Sequence, residues 1–222
     1  MSDAQAMCAV HPEAPSVVTC HRCGRFCCER CMAPGQPCNE CVARALSELP
    51  PLEPRANYAR YALFVMAAAH TAQAGLEAVQ LAVSGPTVEL IEVMSGLLLL
   101  AYIPLYIATI VLVCRWFHLA ARHALARQAP LDVTPGGAVV AWFIPFLNLA
   151  RPFTLTRQML ATSGADQSVV GPWQAAWIAG NMVSNVSVRA DGVASVVAGL
   201  LGDLLLVGAA VLGARAVATL KF

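Results

Sequence analysis

Two long apolar runs constrain this chain more than any other feature. "SGLLLLAYIPLYIATIVLVC", from Ser95 to Cys114, carries no charge, and "GVASVVAGLLGDLLLVGAAVLGA", from Gly192 to Ala214, carries only Asp203. About 20 apolar residues in a helix match the thickness of a bilayer core. The chain is 58% hydrophobic and 12% charged, where soluble proteins average about 25% charged. The deficit is uneven, because residues 1–57 hold eleven of the 27 charged side chains. The expected fold class is therefore mainly α: a polytopic helical membrane bundle with a small soluble N-terminal head. "MSDAQAMCAV" has an acid but neither a basic n-region nor an apolar h-region, so no cleavable signal peptide is expected.

The head concentrates eight of the nine cysteines between Cys8 and Cys41. Cys8 and His11, Cys20 and Cys23, Cys28 and Cys31, and Cys38 and Cys41 each bracket two residues. That spacing lets one tight turn aim both side chains at one tetrahedral ion. Eight ligands suffice for two closed structural zinc sites, and in so short a segment metal would replace a hydrophobic core. The competing reading is a disulfide scaffold, which an even cysteine count would suit. It is opposed by the histidine at ligand spacing, by the missing export signal and by four consecutive two-residue gaps. Cys27, beside Cys28, is expected to be a small buried hydrophobe. Five arginines against six acids give the head no basic excess, so nucleic acid is not an expected partner.

The full spacing, C-x2-H-x8-C-x2-C-x4-C-x2-C-x6-C-x2-C, resembles a B-box-type zinc finger over about 35 residues. The resemblance implies cross-bracing, with Cys8, His11, Cys28 and Cys31 on one zinc and Cys20, Cys23, Cys38 and Cys41 on the other. It also implies a protein-interaction role. The domain limits expected are 1–44 for the head, 45–57 for a Pro-rich, extended spacer, and 58–222 for the membrane domain.

Spans are expected at about 58–83, 90–113, 173–188 and 193–214. The apolar part of "GGAVVAWFIPFLNLARPF", Gly136 to Ala150, would cover only about 22 Å as a helix, and Pro145 and Pro152 interrupt the segment. If residues 136–160 form a broken re-entrant or interfacial helix, nine cations (Arg55, Arg60, Arg115, Arg122, Arg127, Arg151, Arg157, Arg215 and Lys221) lie on one side and Arg189 alone lies opposite. If the segment crosses, the split is six to four. The positive-inside rule favours the first arrangement. Both termini are then cytoplasmic, in a multi-pass protein of the cell inner membrane. A reducing cytoplasm also keeps thiolates available for metal.

Trp142, Phe143, Pro145, Asn148, Leu149 and Pro152, followed by Trp173, Trp177 and Asn181, resemble the bacterial family called domain of unknown function 4328. The resemblance runs over about Tyr58 to Lys221 and brings no established activity.

Polar residues within the apolar helices are candidate site residues, because ionisable groups in a bilayer are costly. His70, Gln73, Glu77 and Gln80 share one helical face. Asp203 lies near the middle of the last span, opposite His70 in depth by the 1.5 Å helical rise. Asn148, Asn181 and Asn185 are further candidates, with hydrogen bonding between helices as the plainer role. Ala176, Gly180 and Ser184, at four-residue spacing, would let helices approach closely. No HExxH, P-loop or GxSxG motif is present, and no catalytic residues are expected. Two readings stand. One is a non-enzymatic membrane protein whose cytoplasmic zinc head binds a protein partner. The other is a small transporter or channel-like protein using His70, Glu77 and Asp203, with the head as regulator.

Overall fold

Prolines mark where the first two long helices begin. The computed structural model describes residues 6–32 and 36–221. Residues 1–5 and 33–35, within the expected limits of the head, and residue 222 lie outside the described residues. Helix α2 (Glu53–Ala82) has Pro54 in its first turn and α3 (Pro86–Ala126) starts on Pro86. Proline is at home there because the first-turn N–H has no intrahelical acceptor to lose. Gly85, at φ 71°, supplies the left-handed residue that reverses the chain between the two.

The head is a sulfur-centred fold. A two-residue strand β1 (Val18–Thr19) pairs antiparallel with β2 (Phe26–Cys27), with Val18 opposite Cys27. Helix α1 (Asn39–Ser47) starts between Cys38 and Cys41. Cys8, Cys20, Cys27, Cys28, Cys31 and Cys38 with Met32 form the buried hydrophobic cluster among the head's described residues. The segment expected as an extended spacer over 45–57 differs from that expectation. Helix α1 runs to Ser47 and α2 begins at Glu53, so only residues 48–52 lie between helices. Pro50 and Pro51 fall in that gap, while Pro54 is accommodated in the first turn.

The long helices form a row. Helix α2 packs on α3 and on α7 (Gly192–Thr219), and α7 packs on α6 (Val170–Ser187). Helices α6 and α7 run antiparallel in close register. Trp173 lies over Gly213, Gly180 over Leu206 and Ser184 over Gly202, and Ser187 and Ser195 exchange hydroxyl-to-carbonyl bonds at 3.0 and 2.9 Å. Among the described residues, α2, α3 and α7 are long and apolar enough to cross a membrane. Helix α6, at 18 residues or about 27 Å, is not among them, since Gln174, Asn181 and Asn185 dilute its apolar character.

Residues 127–169 leave α3 and rejoin α6 at the same end of the row. They form α4 (Pro135–Val140), a 3₁₀ turn (Leu147–Leu149) and α5 (Arg151–Thr162). The Thr134 hydroxyl caps α4 by accepting the Gly137 N–H at 3.1 Å. Phe146 has φ 66°, a costly conformation for a bulky residue, and its ring projects outward, 85% exposed, beside exposed Phe143 and Leu147. Trp142 turns the other way. It packs against Phe117 of α3, Phe153 of α5, and Trp173 and Trp177 of α6, at centroid distances of 5.7–6.4 Å. This aromatic cluster fills the space between α3 and α6, which otherwise stand at opposite ends of the row.

One helix records two environments. On α3, Leu90, Val93, Leu97, Leu100, Ile103 and Ile107 are exposed, whereas Trp116, Phe117, Leu119, Ala120 and Ala124 are buried. Apolar side chains need protein cover in water but not in lipid. The change falls between Val111 and Trp116.

Candidate metal centre and intramembrane cluster

The four knuckles of the head converge in two clusters. Cys8, His11, Cys28 and Cys31 form one and Cys20, Cys23, Cys38 and Cys41 the other, with the ligand atoms of each within 4.8 Å of one another. The sulfur of Cys8 lies 3.7 Å from that of Cys31, and Cys23 Sγ lies 3.7 Å from Cys38 Sγ. Four sulfurs at about 2.3 Å from one ion stand about 3.8 Å apart on a tetrahedron's edges. A disulfide would bring two of them to about 2.0 Å. Nδ1 of His11 lies 4.0, 3.6 and 3.1 Å from Cys8, Cys28 and Cys31 Sγ, bracketing the edge of about 3.6 Å that an N–metal–S pair requires. The donor set thus fits a tetrahedral ion at both places, with Nδ1 as the histidine ligand atom.

Backbone geometry prepares the thiols unequally. Burial opposes ionisation of Cys8, but the N–H groups of Val10, Cys28 and His11 outweigh it and bring its pKa down to about 6. Cys20 is likewise lowered to about 6, first by the Cys38 N–H at 3.3 Å and then by that of Cys23. Burial and neighbouring sulfurs push Cys31 and Cys41 up to about 12. Each cluster therefore offers a ready thiolate and a thiol that only a cation would deprotonate at neutral pH. Cys27 is buried outside both clusters, and burial with the sulfurs of Cys38 and Cys20 raises it to about 11.

A second constellation lies inside the row of helices. His70 Nδ1 of α2 sits 2.7 Å from Asp203 Oδ1 of α7, both residues buried. In this contact the imidazole Nδ1–H donates and the carboxyl Oδ1 accepts. Nε2 faces the Tyr102 hydroxyl of α3 at 3.3 Å, so the contact joins three helices. Glu77 Oε1 accepts from Gln73 Nε2 at 3.3 Å, while Glu77 Oε2 is buried without a hydrogen-bond partner among the described residues. The Glu77 carboxylate fits against α7 because residue 199 is glycine, where a Cβ would lie 2.5 Å from Oε1.

The three candidate asparagines are not bonded to this cluster. Asn181 and Asn185 are exposed on α6 and return their amide N–H groups to the carbonyls of Trp177 and Asn181, at 2.7 and 2.8 Å. Asn148 sits half-buried in the turn before α5. Tyr102 and Gly199 were not among the expected site residues. A tyrosine inside an apolar run and a glycine in a Gly-rich helix carry no local signal of what they face.

The pattern describing the domain of unknown function (DUF4328) matches residues 79–221. The chain belongs to this family. The match begins at Val79, so most of α2, expected from Tyr58 to lie within the family region, falls before it, as does the whole head. Within it, Trp142, Trp173 and Trp177 belong to the aromatic cluster that ties the turn after α4 to α6. No curated protein and no solved structure matches the chain.

Proposed function

We propose that this protein is a membrane-anchored zinc-finger protein, a non-enzymatic interaction or regulatory module whose B-box-like head binds a protein partner. The observation that carries this reading is the pair of four-ligand clusters at tetrahedral spacing. All-Cys and Cys3His sets with no open position suit structural zinc rather than catalysis. The head also exposes Val10, Val17 and Phe26. Val10 and Phe26 line a cleft of about 260 Å³ whose rim carries Arg25, Arg30 and Glu40. Exposed apolar side chains rimmed by charge are typical of docking surfaces.

In this reading the protein resides in the inner membrane with four crossings, α6 being the fourth because it lies along α7 over its length. The segment from α4 to α5 enters and leaves on the head's side, its exposed Phe143 and Phe146 dipping into lipid. The nine-to-one division of cations then puts the head and both termini in the cytoplasm.

The test uses the full chain in detergent. Elemental analysis should give about two zinc ions per chain, with a photo-crosslinker at Phe26 capturing a partner only while the metal is present. One ion or none, a different metal, or crosslinking unaffected by chelation would remove this reading. A small transporter or channel-like protein is the second reading, favoured by the His70, Asp203, Tyr102 and Glu77 cluster at mid-depth.

A further inference from the structure

A cleft opens where α2, α3 and α4 meet on the head's side of the bundle. Its volume is about 430 Å³, and it is lined by Arg55 from the start of α2, Cys114, Arg115 and His118 from α3, and Gly136 and Val139 from α4. Arg115 and His118 are three residues apart and so share a helical face. The arginines are cationic at any physiological pH. None of Arg55, Arg115 and His118 has an acidic partner among the described residues, whose ion pairs lie elsewhere: Arg25 with Glu40, Arg30 with Glu13, His70 with Asp203 and Arg151 with Asp132.

Depth decides what such a cleft can hold. Between Glu92 and Arg115 α3 carries no ionisable side chain other than the tyrosines and Cys114, and that stretch covers about 33 Å, the thickness of a hydrocarbon core. Arg115 is the first charge beyond it, at the level where α3 changes from exposed to buried apolar side chains. The cleft therefore sits at headgroup level, with its Cys114 and Val139 wall towards the acyl chains and its cations towards the phosphates. Two uncompensated arginines beside a histidine in one shallow concavity attract anions, and basic pockets between transmembrane helices select anionic lipid headgroups.

We propose that this cleft binds the phosphate of an anionic phospholipid in the leaflet that faces the head. Arg55 and Arg115 clamp the phosphate oxygens, His118 adds a third donor, and the acyl chains lie along the exposed face of α3. The site thereby pins the first turn of α2, and with it the residues that connect to the head, to the membrane surface. The inference rests on the membrane placement proposed above and is independent of what the head binds.

The test is native mass spectrometry of the full chain from detergent micelles doped equally with phosphatidylglycerol and phosphatidylcholine. The wild type should retain phosphatidylglycerol preferentially. The preference should fall about five-fold for each arginine removed in Arg55→Gln and Arg115→Gln, and Arg122→Gln, on the same helix outside the cleft, should leave it unchanged. Equal retention of the two lipids by the wild type, or an equal loss in Arg122→Gln, would overturn the site. Displacement of the lipid by millimolar inorganic phosphate would reassign it to a free anion. If the arginine variants do not extract as folded protein, His118→Gln carries the same test, with an unchanged preference counting against the site. Alkaline extraction of wild-type membranes separates the two readings. Release of the protein would defeat the membrane placement, whereas a membrane-held protein without lipid preference would defeat this inference alone.

Discussion

Cys27 and Cys28 differ by one position, yet only the sulfur of Cys28 lies among the ligand atoms of its cluster. Strand β2 turns the Cys27 side chain inward, where its thiol donates to the Arg25 carbonyl at 3.6 Å. Cys28→Ser should therefore lower the metal content by one ion per chain, while Cys27→Ser should leave it unchanged, both read by elemental analysis. Protons compete with the metal for the same sulfurs. At neutral pH Cys8 and Cys20, lowered to about 6, are ionised, whereas Cys31 and Cys41, raised to about 12, are not. Each ion should then release at least one proton at pH 7. A depressed thiol pKa favours the folded, thiolate form above it, so that contribution is lost as pH falls through about 6. Below that point metal uptake should release at least two protons per ion and weaken more steeply. Titration calorimetry in buffers of different ionisation enthalpy measures this, and pH-independent uptake would contradict it. The His70–Asp203 contact is also a residue-scale claim. Removing either partner leaves the other buried and unmatched, so His70→Ala and Asp203→Asn should be non-additive in thermal stability by about 1 kcal/mol. Additive losses would mean that the 2.7 Å contact is not coupled in the membrane.

At the scale of elements, glycine decides how closely α7 meets its neighbours. A Cβ on Gly202 would lie 2.5 Å from Ser184 Oγ and 3.1 Å from the Ser184 nitrogen, whereas one on Gly208 would meet nothing within 4 Å. Gly202→Ala should push α6 from α7 and cost about 1–3 kcal/mol, and Gly208→Ala should cost nothing, as melting in detergent would show. Equal effects would mean that the two helices are not in this register. The sequence revealed some of these features and hid others for physical reasons. The pairing of His70 with Asp203 was legible because a fixed helical rise converts position into depth. The spacing of Ala176, Gly180 and Ser184 pointed to a close approach for the same kind of reason. Tyr102 was not legible, because which face of α3 turns towards α2 depends on packing and not on period. The early start of α2 was hidden because Pro54 reads as a helix breaker unless the first turn is known to begin there. Cys8, His11 and their partners were the most legible, since knuckle spacing is a local property. Their assignment to two clusters came only through likeness to a known finger.

At the scale of the whole molecule, the proposed four crossings rest on the course of residues 127–169. Helix α3 ends with Trp116, Phe117 and Ala120 in the same buried core as Trp173 of α6 and Ala216 and Val217 of α7. The segment between therefore begins and ends at one end of the bundle, and α4 covers only six residues, about 9 Å, before the chain turns at Pro145. A continuous crossing would need roughly three times that length. His123 Nε2 donates to the Pro50 carbonyl at 3.0 Å, so this end is also the one that carries the connection to the head. Single cysteines introduced as Pro130→Cys and Ala165→Cys, in a chain with Cys114→Ser and the head loaded with metal, should react with an impermeant maleimide from the head's side only. Ala190→Cys, in the turn between α6 and α7, should react from the opposite side only. Labelling of Ala165→Cys from the side that labels Ala190→Cys would make residues 136–160 a true span. The cations would then divide six to four instead of nine to one, and the charge argument for a cytoplasmic head would fall with the topology.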